Sequence, residues 1–213
     1  MGAHRADEVS AKFFKTIELG RIRATELAGS FGRVAVISAQ LGLSLDELLA
    51  SIATITIQSV KGSETMTLLR GVLLKLAKPT GDMIKLYEGL GVTTAEQLIF
   101  GERWVGTLDA LKEAAKGTTT EMAKLLGRIR PTTGAAALTK DLENYKSVLE
   151  EIKAGATLDY LNAQLKLFST SGEELEKQFK EKKIHPLDLK NSVADYLIEN
   201  FKKVRKYFDK HTD

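Results

Sequence analysis

Apolar side chains recur every three or four residues along most of the chain, which is the spacing of one helical face. The apolar stripes are short and are separated by helix-breaking residues. This pattern predicts an all-α protein, a multi-helix array of short packed helices that ends in a helical hairpin-like C-terminal segment. About eight helices are expected, near residues 10–41, 45–60, 64–77, 80–90, 95–100, 104–127 in two pieces, 134–168 with a break near Gly155, and 172–211 with a break near His185.

Helix start and stop signals agree with this division. A capping box needs Ser or Thr followed three residues later by Glu or Gln, and this spacing is found before predicted helices at Ser44/Glu47, Thr94/Gln97, Thr118/Glu121 and Ser171/Glu174. Glycine or proline interrupts the periodic segments at Gly42, Gly62, Lys78-Pro79, Gly91, Gly117, Pro131 and Gly155. Three further glycines lie inside helical patterns, which suggests close helix–helix approach at Gly29, Gly32 and Gly71.

The most apolar part of the chain is residues 34–60, in which only Asp46 and Glu47 interrupt the uncharged runs 34–45 and 48–60. Each run is shorter than the about 20 residues that a membrane span needs. A buried helical hairpin is the favoured interpretation, and a membrane-interacting segment is the alternative. The β-branched residues of 52–60 would also suit a strand, but a lone strand would have no partner.

Composition excludes several kinds of site. The 31 basic and 28 acidic residues nearly balance, whereas a dedicated nucleic-acid binder carries a large basic excess. The chain has no cysteine, which removes disulfides and zinc–thiolate centres. Residues 1–9 contain no apolar core typical of a signal peptide.

Motifs for catalysis are absent from the sequence. No nucleophile elbow, dinucleotide loop or Walker sequence is found, and the three histidines, His4, His185 and His211, are far apart. We therefore predict a non-enzyme with no cofactor, metal or small-molecule ligand. Lys124, Arg128 and Arg130 flank a predicted helix end at Pro131, where complementing the helix dipole is favoured over anion binding.

An ordered set of segments resembles the core region of phage tail tape measure proteins. It comprises the stretch from Glu26 to Ala35, the stretch from Gly42 to Thr54, the stretch from Thr67 to Pro79, and Leu125 to Pro131 with the later Gly134 to Thr139. The resemblance covers about residues 20–169. It implies a mostly helical structural protein that occupies the tail tube and sets tail length during assembly. At 1.5 Å per residue, 213 helical residues span only about 320 Å, so a fragment or prophage remnant is expected.

The last forty residues resemble a different family, the C-terminal end of archaeal and eukaryotic tyrosyl-tRNA synthetases. The specific part is the string from His185 to Asn191, within a segment from about residue 172 to 213. The resemblance implies a vestigial tRNA contact at His185, Pro186 and Asp188. Because the catalytic domain of the synthetase is missing, retained tRNA binding is not favoured.

These observations divide the chain into three parts. Residues 1–20 are interpreted as a leader left by cloning and the start of the first helix, residues 21–169 as the tape-measure-like core, and residues 170–213 as the synthetase-like segment. An engineered chimera is the favoured origin, with a chance natural match as the alternative. We expect self-association, contacts with tail tube and assembly proteins, and a location in the virion tail lumen or in the bacterial cytoplasm during assembly or from a prophage. The alternative functions are a tRNA-binding helical module and a membrane-interacting helical fragment.

Overall fold

A computed structural model describes residues 2–58 and 60–154, with side chains from residue 8 onward. Within these residues the chain forms ten α-helices and no strand, which confirms the all-α prediction. In chain order the helices are α1 Gly2–Gly20, α2 Ala24–Ser30, α3 Gly32–Gln40, α4 Leu45–Ile57, α5 Gly62–Ala77, α6 Gly81–Gly89, α7 Ala95–Ala114, α8 Thr119–Leu126, α9 Ile129–Thr139 and α10 Leu142–Ala154.

Helix α4 forms the centre of the array and contacts α1, α5, α9 and α10. All positions from Glu47 to Thr56 are buried, because neighbouring helices cover every side of α4. A helix that is apolar all round is stable only in such surroundings. Burial thus explains the apolar run of residues 48–56, and residues 52–57 are helical as predicted. No helix in the described part of the chain is long and apolar enough to cross a membrane.

Helices α5 and α9 pack closely where Gly134 of α9 lies against α5. A Cβ added to Gly134 would lie 2.9 Å from the backbone oxygen of Leu68 and 3.0 Å from Val72. Gly71 of α5 also faces α9, but a Cβ added to it would lie 3.5 Å from the ring of Pro131, which is an ordinary contact distance, so the packing here does not require glycine. The predicted close approach is wrong for Gly32, where a Cβ would meet no atom within 4 Å.

The long helix predicted for residues 10–41 is instead three helices. Helix α1 begins at Gly2, eight residues earlier than expected, and buries Phe13 and Thr16 against the core. It ends where Arg21 adopts a left-handed φ of 51°, and a second break follows at Phe31. The Phe13 and Phe31 rings meet edge to face with centroids 5.0 Å apart, so the breaks fold this segment back onto itself.

The predicted helix 134–168 also needs correction. Helix α9 starts at Ile129, because Pro131 lies in its first turn, where proline's missing N–H removes no helical hydrogen bond. A second break at Lys140 and Asp141 separates α9 from α10. The remainder of that prediction, from residue 155, and the predicted helix 172–211 lie outside the described residues.

Candidate functional site

The most elaborate polar site in the described residues is centred on the side chain of Glu47, whose residue exposure is 4%. The predicted capping box at the start of α4 is confirmed: Ser44 Oγ accepts a hydrogen bond from the Glu47 backbone N–H at 3.3 Å. In return, Glu47 Oε2 accepts hydrogen bonds from Ser44 N at 2.9 Å and Ser44 Oγ at 2.8 Å. One carboxylate oxygen is therefore committed to the N-terminus of its own helix.

The same carboxylate reaches a second helix. Glu47 Oε1 accepts a hydrogen bond from the backbone N–H of Trp104 at 3.3 Å, and Arg103 Nη2 lies 3.4 Å from Oε2. Helix α7 is broken at Arg103, whose φ of 58° and ψ of 174° are not helical. Trp104 consequently starts a new helical segment, and its N–H has no acceptor within that segment. A negative charge at this position also complements the positive end of the helix dipole.

Helix α10 joins the site through Tyr145, whose hydroxyl donates to the backbone oxygen of Glu47 at 3.2 Å. Ser51 Oγ donates to the same oxygen at 2.7 Å and accepts a hydrogen bond from Trp104 Nε1 at 2.8 Å. Burial raises the pKa of the Tyr145 hydroxyl, so this group remains a neutral donor. We call this set of residues the Glu47 junction; its members are Ser44, Glu47, Ser51, Arg103, Trp104 and Tyr145.

The Glu47 junction has the properties of a structural contact between helices. Both carboxylate oxygens are already occupied by donors from the protein, which leaves little capacity for a ligand. In the part of the chain that the structure describes, no group of three or more His, Asp or Glu side chains could hold a metal ion. The arrangement fixes α4, α7 and α10 relative to one another.

An open groove of about 420 Å³ runs beside the junction between α7 and α10. Its charged rim includes Lys146 and Lys153, which pair within α10 to Glu143 at 2.7 Å and Glu150 at 2.9 Å. With these ammonium groups already paired, the groove offers no concentrated charge of one sign. It is a boundary between two helices rather than a binding cavity.

Two large apolar side chains in the described residues are almost fully exposed, Phe100 at 84% and Ile129 at 86%. Phe100 lies in the segment of α7 before the break, and Ile129 is the first residue of α9. Ile84, within α6, and Leu90, directly after it, are exposed to a lesser extent. Sequence reasoning missed these positions, because their spacing alone does not show which apolar residues the packing leaves outside.

The basic residues near Pro131 occupy a different position from the one predicted. Helix α8 ends at Leu126, and Lys124 in its last turn pairs with Glu121 at 2.6 Å. Arg128 and Arg130 lie at the start of α9, where a positive charge does not complement the helix dipole. The dipole-complementing interpretation is therefore wrong for these two arginines. The predicted tRNA contacts at His185, Pro186 and Asp188, and the capping box at Ser171, lie outside the described residues.

Comparisons with known proteins find two unrelated kinds of relative. Over 91 residues the chain is 35% identical to the tape measure protein of Pneumococcus phage Dp-1, covering 43% of this chain and 8% of that protein. Over 44 residues it is 61% identical to the tyrosine–tRNA ligase of Thermococcus gammatolerans and 64% identical to that of Thermococcus kodakarensis. The 44 residues make up 21% of this chain and 12% of either ligase.

The chain thus spans only about a tenth of the length of the curated relatives it matches. No solved structure matches it. Both resemblances drawn from the sequence are confirmed, one to tape measure proteins and one to tyrosyl-tRNA synthetases. The phage-related minor tail protein family matches residues 1–129, which is more than half of the chain, and the chain therefore belongs to that family.

Proposed function

We propose that this chain is a structural fragment of a tape measure protein and takes part in tail assembly and in setting tail length. The observation that carries the proposal is the 35% identity to the tape measure protein of Pneumococcus phage Dp-1. The fold supports it, since the Glu47 junction and the helical core are built for packing, and the described residues gather no catalytic group. We infer no enzymatic activity.

The partners proposed are further copies of the chain and the proteins of the tail tube, with the tail lumen or the host cytoplasm during assembly as the location. The exposed Phe100 and Ile129 side chains supply apolar surface for such contacts. Light scattering across a range of concentrations tests self-association. We expect a mass above that of the 23.4 kDa monomer, and a strict monomer at high concentration contradicts it.

Length determination is tested in the phage of the matching relative. Deleting the 91 matching residues from its tape measure protein shortens the tail by about 140 Å if these residues span the tube as extended helix at 1.5 Å per residue. Replacing them with the matching residues of this chain restores the original length. Tails of unchanged length after the deletion, measured by electron microscopy, reject a length-setting role for this region.

We further propose that the synthetase-like segment was joined to the tail-protein fragment by engineering. The 61% identity over only 44 residues supports a borrowed segment, since 88% of the ligase has no counterpart in the match. The parent reading frame is expected to continue the tail-protein sequence and to lack this segment. A genomic reading frame that contains both parts rejects the engineered origin.

A second candidate function, tRNA binding through His185, Pro186 and Asp188, is favoured only by the ligase match. A titration with tRNA at low salt tests it. We expect affinity no better than millimolar, whereas tighter binding that weakens as salt is added would establish a nucleic-acid interface.

A further inference from the structure

Helix α7 consists of two segments that meet at an unusual backbone conformation. Arg103 separates residues 95–102 from residues 104–114, and its φ of 58° with ψ of 174° is a combination rarely found outside glycine. Such a conformation is maintained only when surrounding contacts outweigh its cost. The Glu47 carboxylate supplies those contacts, through the Trp104 N–H and the Arg103 guanidinium.

The break lets both segments face the same core. The first segment buries Leu98 and Ile99, and the second buries Trp104, Leu108 and Leu111. In an unbroken helix, at 100° per residue, Ile99 and Trp104 would lie about 140° apart around the axis. The two apolar faces would then point to nearly opposite sides, and one of them would leave the core.

The sequence also contains the pattern of the unbroken helix. Phe100 precedes Trp104 by four residues, so in a continuous helix it would extend the stripe of Trp104, Leu108 and Leu111 on one face. In the broken helix Phe100 is instead 84% exposed, while Leu98 and Ile99 are fully buried. The sequence of α7 thus suits two arrangements. The broken helix exposes Phe100, and a continuous helix would expose Leu98 and Ile99.

One hydrogen-bond donor distinguishes the two arrangements. In the broken helix the Trp104 N–H donates to Glu47 Oε1 at 3.3 Å. In a continuous helix the same N–H would donate to the backbone oxygen of Phe100, four residues earlier. The Glu47 carboxylate and the Phe100 carbonyl therefore compete for the same donor.

We propose that α7 is a two-state helix in which the Glu47 carboxylate holds the bent state, and that releasing this carboxylate favours a straight state over residues 95–114. Straightening buries Phe100 against the stripe of the second segment and turns Leu98 and Ile99 outward, where they form a new apolar edge. A two-state α7 goes beyond a role in tail structure, because the exposure of the Leu98 and Ile99 edge then depends on the buried Glu47 carboxylate.

Thiol reactivity tests the proposal, since the chain has no cysteine of its own. Ile99→Cys, Phe100→Cys and Leu111→Cys are made singly and reacted with a thiol reagent, with and without Glu47→Ala, which removes the acceptor of the Trp104 N–H. Releasing the bent state should raise the reaction rate of Ile99→Cys about tenfold, in keeping with the cost of the Arg103 conformation, and lower that of Phe100→Cys several-fold. Leu111→Cys stays buried in both states and should not change.

Opposite changes in the reaction rates of Ile99→Cys and Phe100→Cys distinguish straightening of α7 from local unfolding. Local unfolding would raise the rates of Ile99→Cys and leave Phe100→Cys as fast as before, which overturns the proposal, as do unchanged rates at both positions. Tyr145→Phe is the matched control, because it removes a hydroxyl from the junction and leaves the carboxylate in place; it should change none of the three rates.

A second variant tests the proposal if Glu47→Ala unfolds the chain and exposes the thiol of Leu111→Cys. Arg103→Gly relieves the left-handed conformation and disfavours a continuous helix, so it should stabilise the bent state. We expect the rate of Ile99→Cys to fall several-fold in this background. An unchanged or higher rate contradicts a two-state α7.

Discussion

Replacing Glu47 with alanine should destabilise the fold more than removing any surface charge in the described residues. The substitution removes a carboxylate that accepts hydrogen bonds from Ser44, Arg103 and Trp104. Losing the capping interaction costs about 1 kcal/mol. Leaving the buried Trp104 N–H without an acceptor costs a further 1–3 kcal/mol, roughly. The exposed Arg103 contact contributes little, so the expected loss is about 3 kcal/mol.

Urea unfolding followed by tryptophan fluorescence measures this loss, because Trp104 is the single tryptophan and lies inside the Glu47 junction. The matched control is Glu150→Ala, which removes an exposed carboxylate paired only with Lys153 and should change stability by less than about 0.5 kcal/mol. A loss below about 1 kcal/mol for Glu47→Ala would refute the view that one carboxylate caps two helices.

Three further outcomes follow from buried groups. Thr65→Val should stabilise the fold by about 1 kcal/mol in urea unfolding, because the Thr65 hydroxyl is buried with no hydrogen-bond partner among the described residues; a loss of stability would show that the hydroxyl is bonded. Gly134→Ala should destabilise by about 1–3 kcal/mol, since its Cβ would lie 2.9 Å from the Leu68 backbone oxygen, whereas an unchanged unfolding midpoint would contradict close packing of α5 on α9. Stability should fall above about pH 10: burial raises the pKa of Tyr145, and a folded pKa above the unfolded one contributes stability that is lost as pH rises. The pKa of Lys12 acts in the same direction, because burial lowers it but hydrogen bonds to Asp46 and Glu8 outweigh that effect. Tyr145→Phe should flatten the dependence of the urea midpoint between pH 9 and pH 11, and equal slopes would argue against it.

Helix boundaries that rest on local chemistry could be predicted from the sequence. The Ser44/Glu47 pair marks the start of α4 because capping needs only residues three positions apart. Thr94 and Thr118 likewise accept hydrogen bonds from Gln97 N at 3.3 Å and Glu121 N at 3.2 Å. Glycines with left-handed φ end helices where expected, as at Gly42, Gly91 and Gly117.

Boundaries set by tertiary contact could not be predicted in this way. Arg21 and Phe31 interrupt an apolar pattern that is typical of one helix. Gly20 and Gly32 adjoin these breaks, but a glycine inside an apolar helical pattern does not by itself end a helix. The interruption before residue 104 was predicted from the pattern, but its cause was not. Glu47 and Trp104 are 57 positions apart, and no local spacing shows that one caps the helix begun by the other.

The Glu47 junction also explains why a carboxylate is buried at the centre of the described fold. A buried ion pair is weak evidence for stability, since an apolar replacement is often as stable. Here the carboxylate does what an apolar side chain could not, because it satisfies backbone donors at two helix starts at once. Its value is therefore in selecting one arrangement of α4 and α7 among those that the apolar pattern would allow.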